Sequence, residues 1–245
     1  MTDIEARYLP WQANILQRAL QLKSEQRLPH AVMIDSASDQ DISPFRWHLS
    51  MLLLCDEPQN LSPCGHCEAC RMMQAGTYSD FSLVQLEVDD KTKKISKNIK
   101  IEQIRNLTHE VGLTHQYKRL KIAAIYPAEA MSQASANALL KTLEEPAPRV
   151  LILLLTHNSG RIPITLRSRC QSWSINPPTA EQAQEWLTAE GMPAADGPRY
   201  LEFANGDPLL ALDLQQHDYA AMVSQFKSRF SHFLRSELSV SSLCK

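Results

Sequence analysis

Five apolar runs spaced along the chain, with stretches of helical period between them, constrain the fold more than any other feature. AVMI (Ala31–Ile34), FSLVQLEV (Phe81–Val88), LKIAAIY (Leu120–Tyr126), RVLILLLTH (Arg149–His157) and QSWSIN (Gln171–Asn176) read as strands. Between them, Ser43–Leu54, IKIEQIRNLTHEVGL and SQASANALLKTLEE repeat their apolar residues at helical spacing. Strands alternating with helices predict an α/β domain built on a parallel, doubly wound sheet. LRSRC (Leu166–Cys170) reads as a short turn between the last two strands.

A boundary follows at Asn176-Pro177-Pro178, because paired prolines continue neither a strand nor a helix. Beyond it the period is only helical, over Thr179–Glu190, Gly197–Ala204, Pro208–Leu214 and Tyr219–Leu238. A length of 245 residues suits two domains. The composition, 44% hydrophobic and 21% charged, is that of a globular protein. A net charge of −2 exerts no global pull on nucleic acid or anionic lipid, so any such contact needs a local patch. No apolar run reaches the roughly 20 residues that span a bilayer, and Met1–Trp11 lacks the pattern of a signal peptide. A cytoplasmic protein without membrane contact is expected.

Four of the six cysteines, Cys55, Cys64, Cys67 and Cys70, form C-x8-C-x2-C-x2-C. In a reducing compartment this clustering reads as metal binding before disulfides. Each C-x2-C brings two sulfurs to one tetrahedral ion around a tight turn, to which Gly65 lends a permissive backbone. Four thiolates close the coordination shell, so the expected ion is a structural Zn²⁺ and the neighbouring His66 is not needed as a ligand.

The sheet lacks the parts that would hold a nucleotide. A phosphate-binding first strand leads into G-x-x-x-x-G-K-[ST], but AVMI leads into DSASDQDISPFRWHLS, which has neither glycine nor lysine and sets Asp35, Asp39 and Asp41 where phosphates would lie. The third strand runs into Tyr126-Pro127-Ala128, with Glu129 displaced, where a pair of Mg²⁺-binding carboxylates is expected. Together these losses predict nucleotide-binding architecture without bound ATP.

SANALLKTLEEP (Ser135–Pro146), LILLLTHNSGRIPITLRSRC and the cysteine module after the first helix together resemble bacterial DNA polymerase III clamp-loader subunits. The missing phosphate loop and acidic pair make the chain look like the delta-prime members rather than the gamma/tau motors. The resemblance runs from about Pro10-Trp11 to about Leu212. It implies an AAA+ P-loop-type α/β domain over 1–176 with a zinc module near 55–73, a small helical lid over 177–217, and the start of a helical collar over 218–245. Because the chain stops at Lys245, the collar is expected to be truncated. In the lid, NGDPLLAL is similar to the family's sensor-2 segment, with Pro208 and Leu209 where an ATP-sensing arginine would stand.

The same resemblance gives the second arginine of LRSRC a role. Ser168-Arg169-Cys170 matches the family's S-R-C motif, whose arginine reaches into the ATP site of a neighbouring gamma/tau subunit. Its implied partners are gamma/tau and delta in a hetero-pentamer, and the sliding clamp and primer-template DNA through that complex. Cys170 reads as packed rather than reactive. In the preceding motif Ala136, Leu139, Leu140 and Leu143 read as core, while Lys141 and Glu144 are candidate subunit contacts. Lys97, Lys100 and Arg105 are candidate DNA contacts at a helix start. The chain alone is expected to catalyse nothing. Two rival readings are a divergent AAA+ NTPase, which binds nucleotide, and a zinc-dependent nucleic-acid-binding module, whose DNA affinity falls with zinc removal and with salt.

Overall fold

A computed structural model describes residues 8–36, 38–89, 92–113 and 120–234. The chain divides into two compact units, Met1–Pro177 and Pro178–Lys245. The first holds a five-stranded sheet of β1 (Ala31–Ser36), β2 (Phe81–Val84), β3 (Lys121–Ile125), β4 (Val150–Thr156) and β5 (Gln171–Ile175), in the order β2-β3-β4-β1-β5. Every pairing is parallel. Its helices are α1 (Ala13–Ser24), α2 (Asp39–Leu54), α3 (Glu68–Gln74), α4 (Ile101–Gly112), α5 (Gln133–Glu144) and the single turn α6 (Ile164–Arg167).

Position in the sheet explains the apolar content of each strand. β3 and β4 are buried at every residue, as strands covered on both faces must be. At the edge, β5 buries only Trp173 and Ile175 and turns Gln171, Ser172 and Ser174 outward. On one face, Ile104, Leu107 and Val111 of α4 and Ala136, Leu139 and Leu143 of α5 share a core with β3 and β4, and Leu140 packs against it half-buried. Ser132 caps α5 by accepting the Ser135 N–H, while Ser135 Oγ donates to the Ile99 carbonyl at 2.8 Å. α1 and α2 contact each other and reach β5, β1 and β4.

Several elements differ from the sequence expectations. The second strand stops at Val84 rather than Val88: the Tyr126 N–H still donates to the Val84 carbonyl, but the next residue in that alternation, Ala128, already belongs to a 3-10 turn, Ala128–Ala130, so the neighbouring strand offers nothing further to pair with. Helix α2 begins at Asp39 rather than Ser43, because fully buried Ile42 and Phe45 anchor its first turns and carry it through Pro44. LRSRC is the end of α6 followed by a turn rather than a turn alone. Helix α1, absent from the sequence reading, buries Ile15, Leu16 and Ala19.

A buried ion pair also escaped that reading. Lys121, at the start of β3, lies 3.5 Å from Asp80, with side chains 7% and 2% exposed. Its Nζ also donates to the carbonyls of Glu110 and Leu113 at 3.1 Å each, tying the end of α4 to the sheet. Lys121→Met strands the Asp80 carboxylate in the interior and is expected to cost about 3–5 kcal/mol. Denaturant unfolding checks this, and Lys121→Met combined with Asp80→Leu should regain much of the loss, since the pair then leaves together.

The second unit consists of α7 (Ala180–Ala189), α8 (Gly197–Phe203), α9 (Pro208–Gln216) and α10 (Tyr219–Leu234). Thr179 and Gln182 form a capping box on α7, and Asp207 Oδ1 accepts the N–H groups of Leu209 and Leu210 at the start of α9. Pro208 is buried at the first position of α9. Residues 235–238 of the expected last helix lie outside the described residues. Among the described residues, no helix is long and apolar enough to cross a membrane.

Candidate functional site

The four cysteines of the cluster converge. Cys55 follows the last turn of α2, Cys64 and Cys67 lie on the loop beyond it, and Cys70 sits in α3. All four Sγ atoms lie within 4.8 Å of one another. Tetrahedral Zn²⁺ with bonds of about 2.3 Å sets its sulfurs about 3.8 Å apart, so a small contraction closes the shell, and Cys64 Sγ and Cys70 Sγ are already at 4.0 Å. Backbone N–H groups of Cys64, Cys67 and Cys70 point at the sulfurs of Cys55, Cys64 and Cys67 at 3.3–3.4 Å, as donors that stabilise thiolate charge. Burial pushes the Cys55 and Cys70 thiols up. Burial acts on Cys64 in the same direction, but hydrogen bonds from the Cys67 and His66 backbone and from the Cys55 and Cys67 thiols outweigh it and bring it down to about 6. His66 stays outside the shell, its Nδ1 2.9 Å from the Cys64 carbonyl oxygen. The donor set fits zinc.

The C-terminal ends of β1, β3 and β4 form the edge where a doubly wound sheet holds its ligand. There Asp35 Oδ2 accepts a hydrogen bond from Ser159 Oγ at 2.8 Å. Helix α2 starts just beyond, at Asp39; the side chains of Asp39 and Asp41 lie outside the described residues. After β3, the Tyr126–Pro127 peptide is cis and the Arg46 guanidinium lies 4.4 Å from the Tyr126 ring centroid. Glu129, its side chain 5% exposed, meets His157 Nδ1 at 2.7 Å. Among the described residues, the carboxylates Asp35 and Glu129 at this edge are therefore engaged with Ser159 and His157.

Arg169 lies at the other end of the sheet. It precedes β5, whose first residue, Gln171, is in register with Val32, whereas Ser174 and Ile175 face Asp35 and Ser36. Four residues of strand separate the two levels, about 13 Å. An arginine side chain does not bridge that distance, so Arg169 cannot serve a ligand at its own chain's C-terminal edge. Fully buried Leu166 fixes α6, which leaves Ile164 and Arg167 in solvent. Arg169 Nη1 donates to the Thr165 carbonyl at 2.8 Å, and Nη2 lies 2.6 Å from Glu144 Oε1. Ser168 Oγ donates back to the Thr165 carbonyl at 3.2 Å. Cys170 packs half-buried against the core, and burial pushes its thiol up to about 11.

Three sequence candidates have partners within their own chain. Glu144, a candidate subunit contact, pairs with Arg169 of its own chain. Lys100 pairs with Glu87 at 2.7 Å and Arg105 with Glu102 at 3.1 Å, leaving Lys97 exposed beside them. The three cations thus do not form an uncompensated basic patch. Nothing in the sequence signalled the contact between Glu144 and Arg169, since 25 residues and a strand separate them.

A family model described as "DNA polymerase III, delta subunit" matches residues 11–179. The DNA polymerase III subunit delta' of Haemophilus influenzae is 31% identical over 229 residues, 92% of this chain and 67% of that protein. That of Pseudomonas aeruginosa is 30% identical, over 96% of this chain and 70% of that protein. The Escherichia coli counterpart is 32% identical, over 86% of this chain and 62% of that protein. The chain thus spans 62–70% of the length of these relatives. Among solved structures, a gamma subunit-related protein of DNA polymerase III from Thermotoga maritima superposes with a TM-score of 0.51 at 19% identity, covering 85% of this chain and 62% of that one. A RuvB variant from the same organism gives 0.51 at 11% identity, covering 87% and 63%. These two likenesses concern the fold alone. Joined to the all-parallel sheet and the four-cysteine cluster, the family match and the 30–32% identities make this chain a member of the delta' family of DNA polymerase III clamp-loader subunits.

Proposed function

We propose that this chain is a non-hydrolysing clamp-loader subunit that supplies Arg169 in trans to the ATP site of a neighbouring gamma/tau subunit while the complex loads the sliding clamp on primed DNA. The observation that carries the reading is the position of Arg169 at the strand-beginning edge, in the turn just after a short helix with exposed Ile164, about 13 Å of strand away from its own chain's ligand edge. A planar, permanently charged guanidinium suits phosphate recognition, and a site lent to a neighbour has no use for a phosphate loop of its own. The P-loop-type architecture is retained without its chemistry, because Asp35 stands at the end of β1 where phosphates would need positive charge. Zn²⁺ on Cys55, Cys64, Cys67 and Cys70 would fix the module near 55–73 and supply no chemistry to hydrolysis.

In this reading residues 1–176 form the ATPase-like domain, 177–217 the lid and 218–245 the start of the collar, in the bacterial cytoplasm at the replisome. The partners are gamma/tau and delta in the loader, and the clamp and DNA through it. Met222, Phe226 and Phe230 are exposed along one side of α10, as a helix that packs on further collar helices requires.

The test is equilibrium binding of a fluorescent ATP analogue with Mg²⁺ to the isolated chain. The expected result is no saturable signal at concentrations that saturate a gamma/tau subunit. Saturable binding competed by ATP would favour a divergent NTPase instead.

A further inference from the structure

The arginine is held by two elements of its own domain, and only one of them belongs to its motif. Glu144 sits in the last turn of α5, whose Ala136, Leu139 and Leu143 are buried in the core, so its backbone is fixed relative to the sheet. Thr165 belongs to α6, fixed by Leu166. Between them, the Glu144 carboxylate takes Nη2 and the Thr165 carbonyl takes Nη1. A guanidinium carries five N–H donors in one plane. Two anchors on the two terminal nitrogens fix that plane and leave other donors for an anion. The Arg169 side chain remains 36% exposed, so the guanidinium is oriented without being covered.

We infer that Glu144 is a positioning residue for Arg169, orienting the guanidinium before a neighbour's phosphate arrives. This inference rests on the reading of Arg169 as an arginine supplied in trans. An arginine side chain loses a large rotamer entropy when it is ordered, and a guanidinium already held in one orientation has less left to lose at the transition state. Partly exposed ion pairs contribute at most about 1 kcal/mol, which bounds the shift in rotamer population to about fivefold.

The experiment is steady-state and single-turnover ATP hydrolysis by the complete loader assembled on clamp and primed DNA, with five forms of this chain: wild type, Glu144→Gln, Glu144→Asp, Arg169→Ala and the double variant Glu144→Gln/Arg169→Ala. Glu144→Gln is expected to lower kcat two- to fivefold with KM for ATP unchanged within about twofold. Glu144→Asp should retain more of the rate. Adding Glu144→Gln to Arg169→Ala should cause no further loss, since a residue acting through the arginine has nothing left to act on. Glu144→Gln with unchanged or raised kcat, beside a normal loss in Arg169→Ala, overturns the positioning role alone. An Arg169→Ala loader with unchanged kcat overturns the trans-arginine reading and this inference with it.

Discussion

In a loader assembled from full-length subunits, Arg169→Ala is expected to slow hydrolysis at the neighbouring gamma/tau site by about 10³-fold, the lower end of the range for arginine fingers supplied in trans. The size follows from the proposed role, in which the guanidinium would meet charge developing on the transferring phosphate in a site shielded from water, where a preorganised cation is worth far more than in solvent. Its own chain loses little. Removal of a half-exposed pair with Glu144 costs at most about 1 kcal/mol, so the variant should fold, hold its metal and assemble as the wild type does. Arg169→Lys should recover little of the rate, because an ammonium on a flexible stem reproduces the charge without the planar fork. On that proposal the rate is read at the one neighbouring site, in a single turnover, because hydrolysis elsewhere in the complex would mask the loss. A residual rate within about threefold of wild type, in a complex shown to be intact, would remove Arg169 from the mechanism; the threshold lies far below the factor a finger supplies.

How much of this was legible in the sequence depended on whether the controlling interaction is local. The strands β3 and β4 were read with bounds correct to one or two residues, because a central strand covered on both faces is apolar throughout. The second strand was read four residues too long, because its alternation in QLEV has the right period and only the end of its neighbour at Ile125, ahead of the 3-10 turn Ala128–Ala130, ends the ladder. Helix α2 was read too short for the converse reason: Pro44 looks like a start, and burial of Ile42 and Phe45 overrides it. The cysteine cluster was legible since its four ligands fall within one short segment. Lys121 with Asp80 and Arg169 with Glu144 were not, because each pair joins elements brought together by the sheet rather than by spacing along the chain. The geometry of parallel strands added what no motif contains: it set Arg169 and Asp35 at opposite edges of one sheet.

Cys55→Ser is expected to abolish tight zinc retention and to unfold the loop between α2 and α3 while the sheet stays intact. Elemental analysis after gel filtration should find about one zinc per wild-type chain, filling a single four-thiolate site, and essentially none in the variant. The loop is exposed to this loss because it has little core of its own. Between Asp56 and His66 every residue is exposed or half-buried, and the segment contributes no strand beyond the isolated bridge of Gln59 with Ser62. What shapes it is the N–H···S contacts and the convergence of four sulfurs that fits an ion. Structural zinc sites of this kind bind with apparent free energies of about 10–16 kcal/mol, far more than such a loop gains from its own packing. The expected signature is faster amide exchange over 56–72 with unchanged protection in β3 and β4, which send Ala123, Ile125, Val150, Ile152 and Leu154 into the core shared with α4 and α5. Proton linkage gives a second reading of the same site. Burial holds protons on Cys55 and Cys70 that zinc must displace, so affinity should rise with pH through the neutral range and fall on acidification, most steeply once Cys64, brought down to about 6, also takes up its proton. A wild-type chain without stoichiometric zinc after purification in metal-replete medium, or a Cys55→Ser chain that keeps it, would remove zinc as the organiser of this loop.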